Sequence, residues 1–229
     1  MQKYILSFVL ILLSFSCASI NTVKDDEGTR LIADIKPVKV ARIGVSFEKF
    51  FSNELSKSDV GIVFHPRTND VTLEFSYQMN RNVLFISESV RSKLISSISS
   101  FSSEYEARSL NAKTNKSKTR KVYGLGLSRL EWGVISLNGE AAPELMFGYI
   151  FTDPTSPYFT ISIPKTENIN GQTNDEKGDE YSIETNLFFT RGQAIALGQA
   201  LLQETLEAAI DPADLPSAIK EAKEEYTTK

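Results

Sequence analysis

Alternation of apolar and polar side chains is the feature that most constrains the fold of this chain. From Val71 to Met79 every second residue is apolar and the residues between them are polar. A period of two with one polar face is typical of a strand in an antiparallel sheet that is covered on one side. The turn-forming cluster 66–70 separates this strand from the apolar run Val60–Phe64, so the two runs are predicted to form a hairpin.

The periodicity becomes helical after the strand that ends at Ile86. Apolar residues recur every three or four positions from Val90 to Tyr105, and Ser87 stands where it can cap the first turn. Nine of residues 87–103 are Ser, and Ser competes with the helix for backbone hydrogen bonds. We therefore expect this helix to depend on its tertiary neighbours.

A second helix is predicted to begin at Thr190, where Thr190 and Gln193 match a T-x-x-Q capping box. Its predicted apolar face is Ile195, Leu202, Leu206 and Ala209, widened by Leu201 and Ile210. Between the two helices, strand patterns occupy Val122–Ile135, Glu144–Phe151, Tyr158–Ile163 and Tyr181–Phe189.

Strands followed by a helix, twice over, predict an α+β fold with a mainly antiparallel sheet and two amphipathic helices packed on one face. Each helix follows an apolar strand end and a hydroxyl cap. Two sheet-then-helix units from a duplication would give this pattern, and so would shared strand-to-helix local signals. We expect one α+β domain over residues 38–210 and a charged C-terminal tail over residues 211–229.

The first 16 residues have the composition of an export signal. Lys3 precedes an apolar run from Tyr4 to Leu13, and small residues follow. The run is too short to span a bilayer, which needs about 20 apolar residues. Residues 1–16 are therefore predicted to be a signal peptide.

The residues Leu13, Ser14, Phe15, Ser16 and Cys17 resemble a bacterial lipoprotein lipobox, in its relaxed, spirochaete-like form. The strict motif has Leu three positions before the Cys, where this chain has Ser14. The resemblance covers about the first 20 residues and implies a diacylglyceryl group and an N-acyl chain, such as palmitate, on Cys17. Ser14 and Ser16 also satisfy the rule for ordinary signal cleavage, so simple secretion is the alternative.

Cys17 is the single Cys of the chain, and it stands where lipid attachment requires it. This favours a lipoprotein of the cell membrane or outer membrane, held through Cys17 and a polar tether over residues 17–37. Loss of residues 1–16 removes Lys3 and changes the formal net charge from −4 to −5. A modestly acidic domain gives no reason to expect nucleic-acid binding.

Common catalytic signatures are missing from the sequence, which has no H-E-x-x-H, G-x-S-x-G or P-loop pattern. Its one His, His65, precedes Pro66 at the predicted turn with no nucleophile fixed nearby. The acidic loop 175–180 lacks EF-hand spacing, and Glu131 beside Trp132 is more simply part of a packed strand. We assign no catalytic, metal-binding or cofactor-binding residue and expect no cofactor.

The strand 144–151 is apolar on both faces. It is either central in the core, which is the preferred interpretation, or it opens onto a hydrophobic groove. In the second case the groove residues are Phe147, Tyr149 and Phe151, and the partner is a small apolar ligand or an envelope protein.

We therefore expect a membrane-anchored envelope lipoprotein whose exported domain is a binding or structural module. The alternative is an envelope hydrolase that uses carboxylates without a recognisable motif. The repeated sheet-then-helix pattern also loosely resembles Whirly and Pur-alpha single-stranded nucleic-acid binders, which is an analogy of fold and not of function.

Overall fold

A computed structural model describes residues 36–49, 54–112, 121–153, 155–170 and 180–211. Within these residues there are ten strands, all paired antiparallel in one sheet, and three helices. The predicted α+β class with a mainly antiparallel sheet agrees with this structure. None of the helices in these ranges has the length and apolar composition to cross a bilayer.

The elements follow one another along the chain as four strands, one helix, six strands and two helices. The strands are β1 (Val38–Glu48), β2 (Leu55–His65), β3 (Asp70–Tyr77), β4 (Asn80–Ile86), β5 (Val122–Leu127), β6 (Arg129–Gly133), β7 (Gly139–Ala141), β8 (Glu144–Phe151), β9 (Pro157–Ile163) and β10 (Thr185–Phe189). The helices are α1 (Glu88–Glu106), α2 (Arg191–Ala200) and α3 (Gln203–Ala208). Their order in the sheet is β5-β8-β9-β10-β1-β2-β3-β4-β6-β7.

The sheet is curled, and its curl is fixed at Ser128. Strand β5 stands at one end of the sheet order and pairs with β8, whereas β6 pairs with β4 near the other end. Only Ser128 separates β5 from β6 in the chain. Its backbone N–H donates to the Pro143 carbonyl at 3.0 Å, and its hydroxyl donates to the Phe85 carbonyl. One buried serine therefore ties the two ends of the sheet together.

This geometry corrects the single strand that the sequence predicts over 122–135. The pattern is continuous there, but the two halves pair with different neighbours, so the strand breaks at Ser128 and ends at Gly133. The strand predicted from Tyr181 begins at Thr185 instead, and Tyr181 forms an isolated bridge with Glu167.

The short strand β7 has its outward edge occupied. The carbonyl of Glu140 accepts from the Ile169 N–H at 2.8 Å, and the Glu140 N–H donates to the side-chain oxygen of Asn168 at 3.2 Å. The middle residue of this three-residue strand therefore has both backbone groups satisfied by a loop.

Helix α1 confirms the predicted cap, because the Ser87 side chain accepts from the Val90 N–H. Several of its serines bond to the carbonyl four residues back, for example Ser97 to Lys93 at 2.7 Å. The buried face of α1 consists of Val90, Arg91, Leu94, Ser97, Ile98 and Phe101. Apolar burial on this face supplies the stabilisation that the serine-rich sequence lacks.

Helix α1 approaches β5 closely because β5 has glycines at the contact. A Cβ atom at Gly126 would lie 2.7 Å from a methyl carbon of Val90, and one at Gly124 would lie 3.0 Å from the Ser97 hydroxyl. The glycines, together with the small Ser97, set the spacing between helix and sheet.

Helix α2 has the predicted capping box at Thr190 and Gln193. The predicted long helix ends early, since Leu202 is extended, with φ −64° and ψ 139°, and starts α3. The predicted apolar face is half right: Leu201, Leu206 and Ile210 are buried, whereas Ile195, Leu202 and Ala209 are only partly buried. The other buried residues of this segment, which the prediction left out, are Ala194, Leu197, Gly198 and Ala200. Small residues let α2 approach α1, where a Cβ at Gly198 would lie 3.5 Å from Ile98.

A buried arginine joins three elements. Arg91 of α1, 3% exposed, donates to the Asn69 carbonyl in the β2–β3 turn and to the side-chain oxygen of Gln203 in α3. Burial lowers the pKa of Arg91. The guanidinium stays charged at any physiological pH, so these neutral acceptors must satisfy it.

We predict that Ser128→Ala lowers the free energy of unfolding by about 1–3 kcal/mol, because it leaves the Phe85 carbonyl without its buried donor. Urea unfolding followed by circular dichroism measures this change. The control Ser56→Ala removes an exposed hydroxyl from β2 and should change stability by less than about 0.5 kcal/mol. Equal effects of the two substitutions would contradict the role of Ser128.

We also predict that Gly126→Ala lowers the free energy of unfolding by about 1–3 kcal/mol, because the added methyl group overlaps Val90. Gly192→Ala is the matched control, since no atom lies within 4 Å of a Cβ there, and in a helix it should stabilise by up to about 1 kcal/mol. In urea unfolding, the double variant Gly126→Ala, Val90→Ala should be less destabilised than the two single changes added together. If the destabilisation of the double variant equals the sum of the two single effects, the two residues do not compete for space.

Candidate functional site

The two faces of the sheet differ in chemistry. Ile43, Ile62 and Leu73 of three adjacent strands are buried in the core. Because side chains alternate along a strand, their neighbours Arg42, Gly61 and Glu74 point to the opposite face, which we call the outer face. These three are consecutive partners across β1, β2 and β3.

A groove opens on the outer face at the middle of this row. Its volume is about 590 Å³, and its floor includes Gly61 and Val63 of β2. We call it the Gly61 groove. Its charged residues are Lys39, Arg42, Asp59, Glu74 and Arg81. The volume falls within the range of small-molecule sites.

The fold does not require a glycine at position 61. A Cβ atom there would lie 3.7 Å from the Glu74 carbonyl oxygen and 3.9 Å from the Glu74 Cβ, which is ordinary contact. Glycine inside a strand costs stability and often marks a close approach by a ligand or another backbone. At Gly61 it removes the side chain that would otherwise stand between Arg42 and Glu74, and this absence forms the groove.

The charges of the groove are unevenly paired. Glu74 and Arg81 form an ion pair at 3.3 Å. Lys39, Arg42 and Asp59 form no ion pair with any residue that the structure describes. Two cations on β1, Lys39 and Arg42, therefore line the groove without an ion-pair partner among the described residues.

The aromatic residues predicted to line a hydrophobic groove lie elsewhere. Phe147 and Tyr149 are at most 1% exposed and belong to the core, and Phe151 is half-buried. The Tyr149 ring packs near Phe101, with 6.3 Å between ring centroids. Its hydroxyl accepts from the Asn111 N–H at 3.2 Å. The structure brings these side chains together as packing and not around an open space.

Trp132 is likewise a core residue, 3% exposed. It stands opposite Gly139 and covers it, since a Cβ at Gly139 would lie 2.2 Å from the indole ring. Its neighbour Glu131 points to the other face and pairs directly opposite Glu140 of β7. Arg129 lies 3.3 Å from the Glu131 carboxylate. Two carboxylates therefore meet on the outer face, next to one guanidinium.

His65 lies at the end of β2 on the outer face, with Nε2 3.1 Å from the Thr72 hydroxyl. Its ring centroid is 6.3 Å from that of Phe85. The guanidinium of Arg129 in turn lies 3.7 Å above the Phe85 ring. This cluster packs the outer face, and the hydroxyl beside the histidine belongs to Thr72, which is 1% exposed and therefore out of reach of a substrate.

Several predicted features fall outside the described residues. These are the signal peptide, Cys17, the tether up to residue 35, the C-terminal tail from residue 212 and most of the acidic loop 175–180. In the part of the chain that the structure covers, no group of three His, Cys, Asp or Glu residues is placed to hold a metal ion.

Displaced pKa values occur away from the groove. Burial, and then the hydrogen bond to Glu104, raise the pKa of Tyr123. Hydrogen bonds from Ser156 and Thr155 lower the pKa of Asp153 to about 2. The ammonium of Lys49 lowers the pKa of Glu54. Both of these acids favour their charged form, which is the opposite of what a general acid needs.

Sequence reasoning missed the Gly61 groove. A glycine inside the apolar run Val60–Phe64 was the available signal, because glycine weakens a strand unless something approaches it. Arg42 and Glu74 carry no local signal, since only the register across three strands places them on either side of Gly61.

A family model described as "Uncharacterised Treponema protein" matches residues 37–208. The chain belongs to this family. An "Uncharacterized protein" of Treponema pallidum (strain Nichols) is 28% identical over 117 residues, which cover 51% of this chain and 42% of that protein. The family member described here thus matches less than half of that relative's length. No solved structure matches the chain.

We predict that Gly61→Ala leaves the free energy of unfolding unchanged or raises it by up to about 1 kcal/mol, because the strand has room for the methyl group. Urea unfolding provides the measurement, with the destabilising Gly126→Ala as the reference of opposite sign. A loss of more than about 1 kcal/mol on Gly61→Ala would mean that the backbone itself needs this glycine.

Proposed function

We propose that this chain is an exported envelope lipoprotein, anchored to a membrane through acylated Cys17, whose α+β domain is a binding module. The Gly61 groove is its binding surface. The observation that carries the binding role is a mid-strand glycine which the fold does not need and which opens a charged groove.

The anchor rests on the sequence. An apolar run of signal-peptide length leads to Ser16 and the single Cys of the chain. A family match that starts at residue 37 supports a division into signal, tether and domain. Two or more acyl chains hold a protein stably on a membrane, so a lipidated Cys17 would present the domain at the surface without a spanning segment.

The finer architecture belongs to the same proposal. Helices α1 and α2 pack on one face of the sheet, and the strands form two units of four, β1–β4 before α1 and β5, β8, β9 and β10 before α2. The order of these strands in the sheet and the hydroxyl caps of both helices support this division. With the helices on the inner face, the outer face with its groove is left for a ligand.

A binding role fits the groove better than a purely structural one. A structural surface gains by filling mid-strand positions with β-branched or aromatic side chains, and by pairing its charges. The groove shows neither property. Gly61 has no side chain, and its neighbour Arg42 forms no ion pair with the described residues. Both features lower stability and raise the capacity to bind.

An envelope hydrolase is the alternative, and the carboxylates of Glu131 and Glu140 favour it. The backbone groups of Glu140 bond outward to the loop, so Glu140 and Glu131 are a non-hydrogen-bonded pair, in which opposed side chains are closest. Hydrolysis would require one of them to hold a proton near neutral pH. Glu131 is already engaged in an ion pair with Arg129 at 3.3 Å, so we prefer the binding module.

We predict that the wild-type chain, expressed in a bacterium with a lipoprotein pathway, incorporates labelled palmitate and stays with membranes after a carbonate wash. Cys17→Ala should abolish the label and release the domain, because the thiol is the attachment point. Arg42→Gln is the matched control, since a change in the groove leaves the anchor intact and should keep both label and membrane retention. An unlabelled wild-type protein with a free thiol at residue 17 would support simple secretion and contradict the anchor.

A further inference from the structure

We propose that the Gly61 groove binds a short zwitterionic peptide, with Arg42 and Lys39 contacting its carboxylate and Glu74 and Asp59 its ammonium group. This inference rests on the proposed binding role and adds the class of ligand. The opposed charges of the groove and its open floor carry it.

The anionic end of the ligand is assigned to β1. Arg42 and Lys39 both line the groove, and neither forms an ion pair with a residue that the structure describes. A guanidinium presents paired donors that match the two oxygens of a carboxylate. A terminal carboxylate would give Arg42 and Lys39 the ion-pair partner that they lack among the described residues.

The cationic end is assigned to the carboxylates of β2 and β3. Glu74 shares its charge with Arg81 across 3.3 Å, and both side chains of this pair are partly exposed. Exposed ion pairs are weak, so an ammonium group can join Glu74 without a large cost. Asp59 lines the same groove and forms no ion pair with the described residues, which leaves one carboxylate in excess over Arg81.

The separation of the two ends favours a peptide of about three residues. Arg42 of β1 and Glu74 of β3 are separated by strand β2. Two spacings between neighbouring strands therefore place their backbones about 9–10 Å apart. An extended chain covers about 3.3–3.6 Å per residue, so about three residues connect the two charges. Gly61 beneath the middle of this path lets a peptide backbone lie close to the sheet, and Val63 adds an apolar contact.

The test uses the full-length chain in detergent micelles, titrated with tri-alanine and followed by NMR shifts. We expect a dissociation constant of about 1 mM or below. Tri-alanine amide lacks the carboxylate and N-acetyl-tri-alanine lacks the ammonium, so each should bind at least about tenfold more weakly. Arg42→Gln should weaken tri-alanine by a similar factor. The matched control Arg67→Gln, an exposed arginine of the β2–β3 turn, should not.

Three outcomes would overturn the inference. They are no shift with tri-alanine at about 10 mM, equal binding of either blocked peptide, and unchanged binding to Gly61→Val, whose side chain fills the groove. The same variant separates this inference from the binding role on which it rests. If a disaccharide or a dicarboxylate shifts groove resonances in the wild type and not in Gly61→Val, the binding role stands and the peptide is wrong. If Gly61→Val responds to every probe as the wild type does, the binding role fails as well.

Discussion

The closure of the curled sheet at Ser128 is the constraint on which the other parts depend. One residue forms a link to β4 through Phe85 and a link to the start of β8 through Pro143. This closure brings β5 against α1 and leaves β1–β4 as a continuous surface on the outside. The Gly61 groove lies on three strands that are paired with one another through the residues that line it, β1 with β2 and β2 with β3.

Glycines in this sheet serve three different physical purposes. Gly126 allows a helix to approach, since a side chain there would overlap Val90. Gly139 is covered by Trp132, so an aromatic ring fills the space that the glycine leaves. Among the described residues, neither a helix nor an aromatic ring covers Gly61, and the space above it is the groove. The same residue type thus marks close packing at two positions and an accessible surface at the third.

The sequence predicts those features that depend on neighbours in the chain. The alternation from Val71 to Tyr77 and the caps at Ser87 and Thr190 are local, and the structure contains them. Met79, which the pattern places on the apolar side, lies instead in the turn after β3 and is 87% exposed. The break at Ser128 was missed, because it results from pairing with two distant strands. The buried face of α2 was predicted only in part, because the prediction weighted large residues and left out Ala194, Gly198 and Ala200. The groove depends on the register of three strands, which no local pattern gives, and the predictions about Cys17 lie outside the described residues.

The covered edge of β7 affects how neighbouring copies of the protein can interact. An unpaired strand at the side of a sheet can add a strand from another molecule, and such addition leads to polymers. Here the loop around Ile169 already occupies the backbone of Glu140. Many copies held side by side at one surface would therefore find no free backbone groups at the middle residue of β7 on which to add a strand.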